Sequence, residues 1–314
     1  MMRRDIMAAR LCMYFTILPA VALAAASTLA APPPPQSGTE PAPSPAQASP
    51  QKEEPGMRSG PSLDDAFDDM YSLKFDAARR EIAAYEQLHP DDVLARDAEA
   101  ASYLFEEFQQ KGIFSSAFFL DDKKFLGGID GSPEANRNPQ FLEANRRTRE
   151  MATAHLQENS RDVDALVALA MADGMESDYD TVIEKKQLAG LEMMRSANGN
   201  ATKALALDPD AKDAYVSLGV ASYIIGCLPG YKRAFLFFGG IHGDRNHGIE
   251  VMQLAANGGH YLRPFAKIML ALAYEREHHF DLARNLLADL VNEYPENPRF
   301  ADELAIAQRV AGRN

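Results

Sequence analysis

The sequence lacks tryptophan altogether and has only two cysteines, Cys12 and Cys227, among its 314 residues. Without tryptophan, intrinsic fluorescence depends on tyrosine alone. Cys12 lies in an N-terminal segment that we expect to be removed, so a single thiol is left and no internal disulfide can form. We therefore predict that packing holds the fold together, and that Cys227 is a small buried apolar residue rather than a reactive thiol.

Positive charge is also scarce, with 32 Lys and Arg residues against 45 Asp and Glu residues and a formal net charge of −13. Binding to a nucleic-acid backbone requires a basic face that neutralises phosphates. The charge balance therefore argues against a nucleic-acid partner.

The signatures of several enzyme classes are missing. The sequence contains no G-x-S-x-G elbow, no H-E-x-x-H pair and no P-loop lysine followed by Ser or Thr. We therefore predict a protein without catalytic residues, cofactor or metal.

One stretch, GGIHGDRNHG at residues 239–248, still suggests chemistry, because His242, Asp244 and His247 could together bind a transition metal. The five-residue spacing of the histidines matches no common helix-borne site. The glycines are typical of a tight turn before a helix, with Asp244 as its cap. An enzyme built around these three residues is the least favoured of our hypotheses.

The first 30 residues have the layout of a secretory signal peptide. Arg3, Arg4 and Arg10 precede an Ala-rich apolar run, and small residues suited to cleavage stand at 22–24 and 28–30. We predict export to the periplasm or the medium, with an uncleaved membrane anchor as the alternative. Residues 31–62 are rich in Pro, Ala, Ser and Gln and predict a disordered linker, through which the protein could associate with the cell envelope.

A repeated pattern begins after the linker. Residues 264–295, PFAKIMLALAYEREHHFDLARNLLADLVNEYP, place small and bulky apolar residues at helical spacing over two successive helices. The small residues Ala271 and Ala283 let the two helices approach, and Pro295 ends the unit. Partial copies of the pattern recur at Phe75, Ala78, Ile82, Tyr85 and Pro90, at Leu166, Leu169 and Ala170, and at Tyr215, Leu218 and Gly219.

These residues resemble the tetratricopeptide repeat (TPR) family over 63–90, 162–226 and 263–295. The resemblance implies an all-α fold over 63–314, a right-handed α-α superhelix or solenoid of about five helix pairs plus a capping helix. It also implies a non-catalytic scaffold that binds a protein or peptide in its concave groove. The predicted helices are 63–74 and 76–89, 92–112 and 139–158, 162–176 and 188–207, 211–226 and 244–258, 263–278 and 280–294, and finally 299–312.

A narrower likeness covers residues 213–295. An LP turn at Leu228-Pro229, a G-x-x-GD-like turn at 240–244 and the Gly248-Ile249 helix start are similar to a eukaryotic TPR group linked to inclusion-body clearance and lipid droplets. That group is cytosolic, and the export signal of the present chain departs from it.

Three helix pairs carry extra residues between their first and second helix, near 113–138, 177–187 and 227–243. Equivalent loops of successive repeats lie on one edge of a solenoid, and long inserted loops are often functional. We predict that they form a docking rim for a protein partner, where aromatics supply buried area and cations orient an acidic group. The predicted partner-binding residues are Tyr231, Lys232, Arg233, Phe235 and Phe238, with Phe118, Phe119, Lys123 and Lys124 opposite.

Two other interpretations of the insertions stay open. Their aromatic residues would be extra core if they fold back, because exposed apolar runs are costly. Alternatively, the three insertions close a cavity lined by their phenylalanines, and the protein carries an apolar small molecule or lipid.

Overall fold

The structure, a computed structural model, describes residues 60–130, 138–238 and 240–311. The predicted signal peptide, 1–30, and the predicted linker as far as residue 59 lie outside the described residues. Within them, the α-helices are α1 (Leu63–Tyr71), α2 (Phe75–Leu88), α3 (Val93–Gln110), α4 (Ser116–Phe119), α5 (Asp122–Gly127), α6 (Pro139–Glu158), α7 (Val163–Asp178), α8 (Gln187–Leu207), α9 (Tyr215–Cys227), α10 (Gly230–Phe238), α11 (Arg245–Gly258), α12 (Arg263–Arg276), α13 (Phe280–Glu293) and α14 (Pro298–Ala311).

The helices pack in pairs in chain order: α1 with α2, α3 with α6, α7 with α8, α9 with α11, and α12 with α13, after which α14 packs on α13. The predicted all-α fold of TPR-like helix pairs with a closing helix is therefore confirmed. The ends of the predicted helices agree with the observed ones to within four residues. The largest difference is at α9, which follows a single 3₁₀ turn at Lys212–Ala214 and begins at Tyr215 rather than at 211.

Side-chain caps explain several helix starts. Asp162 accepts a hydrogen bond from the backbone N–H of Ala165 at 3.0 Å, which satisfies one of the unpaired donors at the start of α7. Asp92 accepts from the N–H groups of Leu94 and Ala95 at the start of α3. These short-range bonds fix where the helices begin, and the buried alanines and leucines of the repeat then pack one pair onto the next.

Helix α1 is in direct contact with segments near the other end of the described chain. The Tyr71 hydroxyl of α1 donates to the carbonyl of Tyr261 at 2.9 Å, and the Asn297 side chain donates to the carbonyl of Tyr71 at 2.8 Å. The rings of Phe67 and Tyr261 stack with centroids 4.7 Å apart. The solenoid is therefore closed on itself, whereas the resemblance to repeat proteins implies an open groove.

Among the described helices, none combines the length and the apolar character needed to cross a membrane.

Candidate functional site

The first insertion folds inward. Phe118 and Phe119 of α4 and Phe125 of α5 are all buried, and the Phe119 and Phe125 rings lie 4.4 Å apart. The guanidinium of Arg276 packs over the Phe125 ring at 4.7 Å and donates to the carbonyl of Phe119 at 2.7 Å. The prediction that Phe118 and Phe119 face a docked protein is therefore corrected, because both side chains lie inside the fold.

The basic pair of the first insertion is at the surface. Lys123 and Lys124 are exposed on α5, where the backbone N–H groups of both residues donate to the Asp121 carboxylate that caps this helix.

The second insertion is mostly helical. At its C-terminal end α7 passes directly into a π-helical segment, Tyr179–Ile183. The Tyr179 side chain is buried, and its hydroxyl accepts a hydrogen bond from the backbone N–H of Asn138. The backbone N–H of Ile129 donates to the carbonyl of Val182 at 3.0 Å, which joins the first insertion to the second. Gly128 allows this approach, because its φ is +79° and a Cβ would lie 2.6 Å from the Val182 oxygen.

The third insertion forms α10, which stands at the surface. The predicted partner-binding residues Tyr231, Phe235 and Phe238 are 74%, 73% and 88% exposed. Lys232 and Arg233 are exposed beside them. Leu236 is half-buried and lines the cavity described below, whereas the other residues of α10 are exposed.

The three insertions meet around one cavity of about 230 Å³. Its walls are the inner faces of α3, α7, α8, α9 and α12, which are the surfaces that a repeat protein would turn toward an open groove. The insertions close it with aromatic and aliphatic side chains, among them Phe118, Phe119, Phe125, Val182, Leu228 and Leu236. The predicted docking residues are thus divided among the cavity lining (Phe118 and Phe119), the surface of α5 (Lys123 and Lys124) and the exposed face of α10.

Some polar side chains of the cavity are paired within the protein, but Asp178 is not. Ser177 donates to the carbonyl of Gly190 at 2.8 Å, and Gln187 donates to the carbonyl of Thr181 at 3.2 Å. The half-buried Asp178 carboxylate lines the cavity without a hydrogen bond or ion pair to any described residue. Burial in these apolar surroundings raises the pKa of Asp178 from 3.8 to about 7.

Sequence reasoning did not single out Asp178. It stands among other acidic residues, Glu176, Asp180 and Glu184, in a stretch that looks like the solvated end of a helix. The change from α-helical to π-helical register decides which of these carboxylates faces the cavity, and no short-range pattern reports that change.

The residues of the hypothetical metal site do not converge. Asp244 accepts a hydrogen bond from the backbone N–H of His247 at 2.9 Å and caps α11, while His242 packs edge-on against Phe237. A further histidine along the chain, His260, does not join them, because its Nε2 lies 2.6 Å from the Asp64 carboxylate of α1. In the described parts of the chain, no three His, Cys, Asp or Glu side chains are placed to hold a metal ion.

Cys227 is buried, as the sequence predicts, and burial raises the pKa of its thiol. A thiol in this state is a poor nucleophile.

Comparison with known proteins adds little to this geometry. No family model matches the sequence, and no curated protein matches it. Among solved structures, a thermophilic TPR protein of Thermus thermophilus is similar with 13% sequence identity and a TM-score of 0.40, over 79% of this chain and 99% of that chain. A likeness at this level supports no conclusion about function, and the narrower likeness of residues 213–295 to the eukaryotic group stays a prediction.

Proposed function

We propose that this protein is a non-catalytic carrier that binds a small apolar molecule in the cavity between its three insertions. The observation that supports this proposal most directly is the convergence of the insertions. A helical repeat stacks without them, yet residues from all three line the same cavity. Long inserted segments are commonly functional, and binding at the place where these three meet explains why they converge.

The size and chemistry of the cavity suit such an occupant. Protein interiors are close-packed, and voids larger than a few waters are rare. A cavity of about 150 Å³ lined by aliphatic and aromatic residues is enough to bind benzene. The present cavity, of about 230 Å³ with a mostly apolar lining, has room for a larger molecule.

The predicted export agrees with this role. The predicted signal peptide and linker would place the folded part in the periplasm or outside the cell. An apolar molecule that crosses such an aqueous compartment needs a protein that shields it from water. We therefore propose a periplasmic or secreted carrier.

A matched pair of glycine variants tests the carrier function. Gly174 of α7 lines the cavity, and an added Cβ there would have only the Ser217 hydroxyl within 4 Å, at 3.8 Å. Gly174→Leu should fill part of the cavity and weaken binding of the apolar fluorophore N-phenyl-1-naphthylamine by about tenfold or more. Fluorescence titration measures this without interference, because the chain has no tryptophan.

Gly199→Leu is the control, since Gly199 is exposed on α8 and has no atom within 4 Å of an added Cβ. Both changes raise helix propensity equally. Equal binding by the two variants would remove the cavity as the site. Mass spectrometry of an organic extract of the purified protein would then identify any natural occupant.

A second candidate function is a scaffold that docks a protein partner, and the outer face of α10 favours it. Tyr231, Phe235 and Phe238 form an exposed apolar patch, which is costly unless something covers it. Lys232 and Arg233 would orient an acidic partner.

Reversal of the charges on α10 tests the scaffold function. Lys232→Glu with Arg233→Glu should abolish partner capture in a crosslinking pull-down from the cell envelope. Arg195→Glu with Lys203→Glu, the same change at exposed positions of α8, should leave capture intact. Capture that is unaffected by reversal on α10 would argue against this surface.

A further inference from the structure

Asp178 is the one ionisable side chain among the described residues that line the cavity. A carboxylate in apolar surroundings is unfavourable unless a counter-charge or hydrogen-bond donors compensate it. None of the described residues supplies either. Because no described residue pairs with this carboxylate, the partner that fits is a group on the occupant.

The backbone around Asp178 is unusual in a way that holds the carboxylate at this place. Asp178 is the last residue of α7, directly before the π-helical segment Tyr179–Ile183. Single π-helical turns are rare and often mark functional sites, because they rotate the side chains that precede and follow them. Gly190 of α8 packs against this turn so closely that a Cβ would lie 2.2 Å from the Thr181 hydroxyl.

A second unpaired acceptor lies further along the same cavity. Asn198 lines it, and its Oδ1 is buried without a hydrogen-bond partner among the described residues. Asn198 lies eight residues beyond Gly190 on α8, a rise of about 12 Å along the helix. Unpaired acceptors therefore occur twice in the cavity wall, and the surfaces between them are mainly apolar.

We propose, on the basis of the carrier function, that the occupant is an amphiphilic amine whose ammonium head pairs with the Asp178 carboxylate while its apolar chain lies against the phenylalanine side chains. An ammonium group offers three donors and the opposite charge, whereas a hydroxyl group would leave the carboxylate charge uncompensated. An anionic head would place two like charges together. The carboxylate is already half-buried in apolar surroundings in the folded protein, so most of the desolvation that binding requires falls on the amine.

Three probes that share one chain and differ only in the head group test this inference. Octylamine, octanol and octanoic acid are titrated into the protein by calorimetry at pH 8, where Asp178 is mainly ionised and the amine is protonated. Octylamine should bind about tenfold or more tightly than octanol, and octanoic acid should bind most weakly.

Two matched variants test whether the preference for octylamine over octanol depends on the Asp178 carboxylate. Asp178→Asn should reduce octylamine binding to the level of octanol, while octanol binding stays as in the unchanged protein. Asp180→Asn makes the same substitution two residues away, on the π-helical segment but outside the cavity lining, and should keep the preference for the amine.

The outcomes separate the two proposals. Octanol binding without a preference for octylamine, or a preference that survives in Asp178→Asn, overturns the inference and leaves the carrier function intact. Preferential binding of octanoic acid overturns it as well. Failure of all three probes and of N-phenyl-1-naphthylamine to bind overturns both proposals. The head-group series on the unchanged protein keeps the inference testable even if a variant folds poorly.

Discussion

The Asp178 carboxyl makes the empty protein less stable as the pH rises. Its pKa is about 7 in the folded state against an ordinary value of 3.8, and burial is the sole cause, with no contribution from a charged neighbour. Between these two values the folded state holds a proton that the unfolded state has released. The contribution of Asp178 to stability therefore falls as the pH rises from about 4 to about 7, and stays low above it.

Replacement of the carboxyl by an amide removes this contribution. Asp178→Asn should be more stable than the unchanged protein at pH 8 by up to about 4 kcal/mol, which is about three pKa units at roughly 1.4 kcal/mol each. Near pH 4 the two proteins should have similar stability, because the carboxyl is then neutral in the folded state. Urea unfolding at several pH values, with the difference in free energy taken at each pH, measures the effect.

Other buried acids give the whole protein a similar trend, so the difference between the two proteins is the informative quantity. Burial also raises the pKa of Glu275 to about 7, with a smaller contribution from Glu303. The Glu275 side chain is common to both proteins and cancels in the difference. A free-energy difference that does not vary between pH 4 and pH 8 would show that Asp178 is solvated and would weaken the inference about the cavity.

At the level of elements, the crossing of α9 and α11 is a close contact between backbones beside the site. Gly219 and Gly248 face each other there, and a Cβ on Gly248 would lie 2.5 Å from the backbone nitrogen of Tyr223. The three atoms nearest to a Cβ on Gly248 all belong to the backbone of Tyr223 and Gly219, so no flexible side chain could move away. This close approach holds α9, which lines the cavity, against the helix that follows the third insertion.

Gly248→Ala should therefore destabilise the protein by about 2 to 4 kcal/mol, because the two helices must move apart to accept the methyl group. Gly199→Ala, at an exposed position of α8 with open space around it, should stabilise by about 0.5 to 1 kcal/mol through helix propensity. Thermal unfolding of both variants measures the contrast. A stabilising effect at both positions would mean that the helices adjust to the methyl group without strain.

Most of these elements could be predicted from local sequence. Apolar spacing and caps such as Asp162 specify the main helices, since both act within a few residues along the chain. The secondary structure of the inserted segments does not follow from local sequence in this way. Residues 227–243 look like a loop because of their Gly and Pro residues, yet they contain α10, and the π-helical end of α7 depends on packing against α8 and on the backbone around Gly128.

At the level of the whole molecule, closure of the solenoid turns a groove into a cavity. Each repeat is rotated slightly relative to the one before it, and the total rotation decides whether the two ends of the solenoid meet. No residue pattern within a single repeat reports that total. The sequence therefore predicts the inner faces of α3, α7, α9 and α12 correctly as parts of helix pairs, but implies an open surface for a peptide. In the structure, α1 contacts Tyr261, which precedes α12, and Tyr294 and Asn297, which follow α13, and these contacts close the ring.

Asn297 is the residue through which closure can be tested. Its side chain donates to the carbonyl of Tyr71, one of the carbonyls at the end of α1 that have no partner in the helix, and its oxygen accepts from the N–H of Arg299. Asn297→Ala should cost about 2 to 3 kcal/mol, because it removes both bonds and leaves a buried carbonyl unpaired. Hydrogen exchange should accelerate in α1 and α14 together, although they lie at opposite ends of the described chain.

Asn159 provides the matched control for this variant. It accepts from the N–H of Arg161 at 3.1 Å, as Asn297 does from Arg299, but it is exposed and makes no long-range bond among the described residues. Asn159→Ala should therefore cost less than about 1 kcal/mol and leave exchange in α1 unchanged. If Asn297→Ala accelerated exchange in α14 alone, the ends would be adjacent without supporting each other. The cavity would then depend on the insertions rather than on closure of the ring.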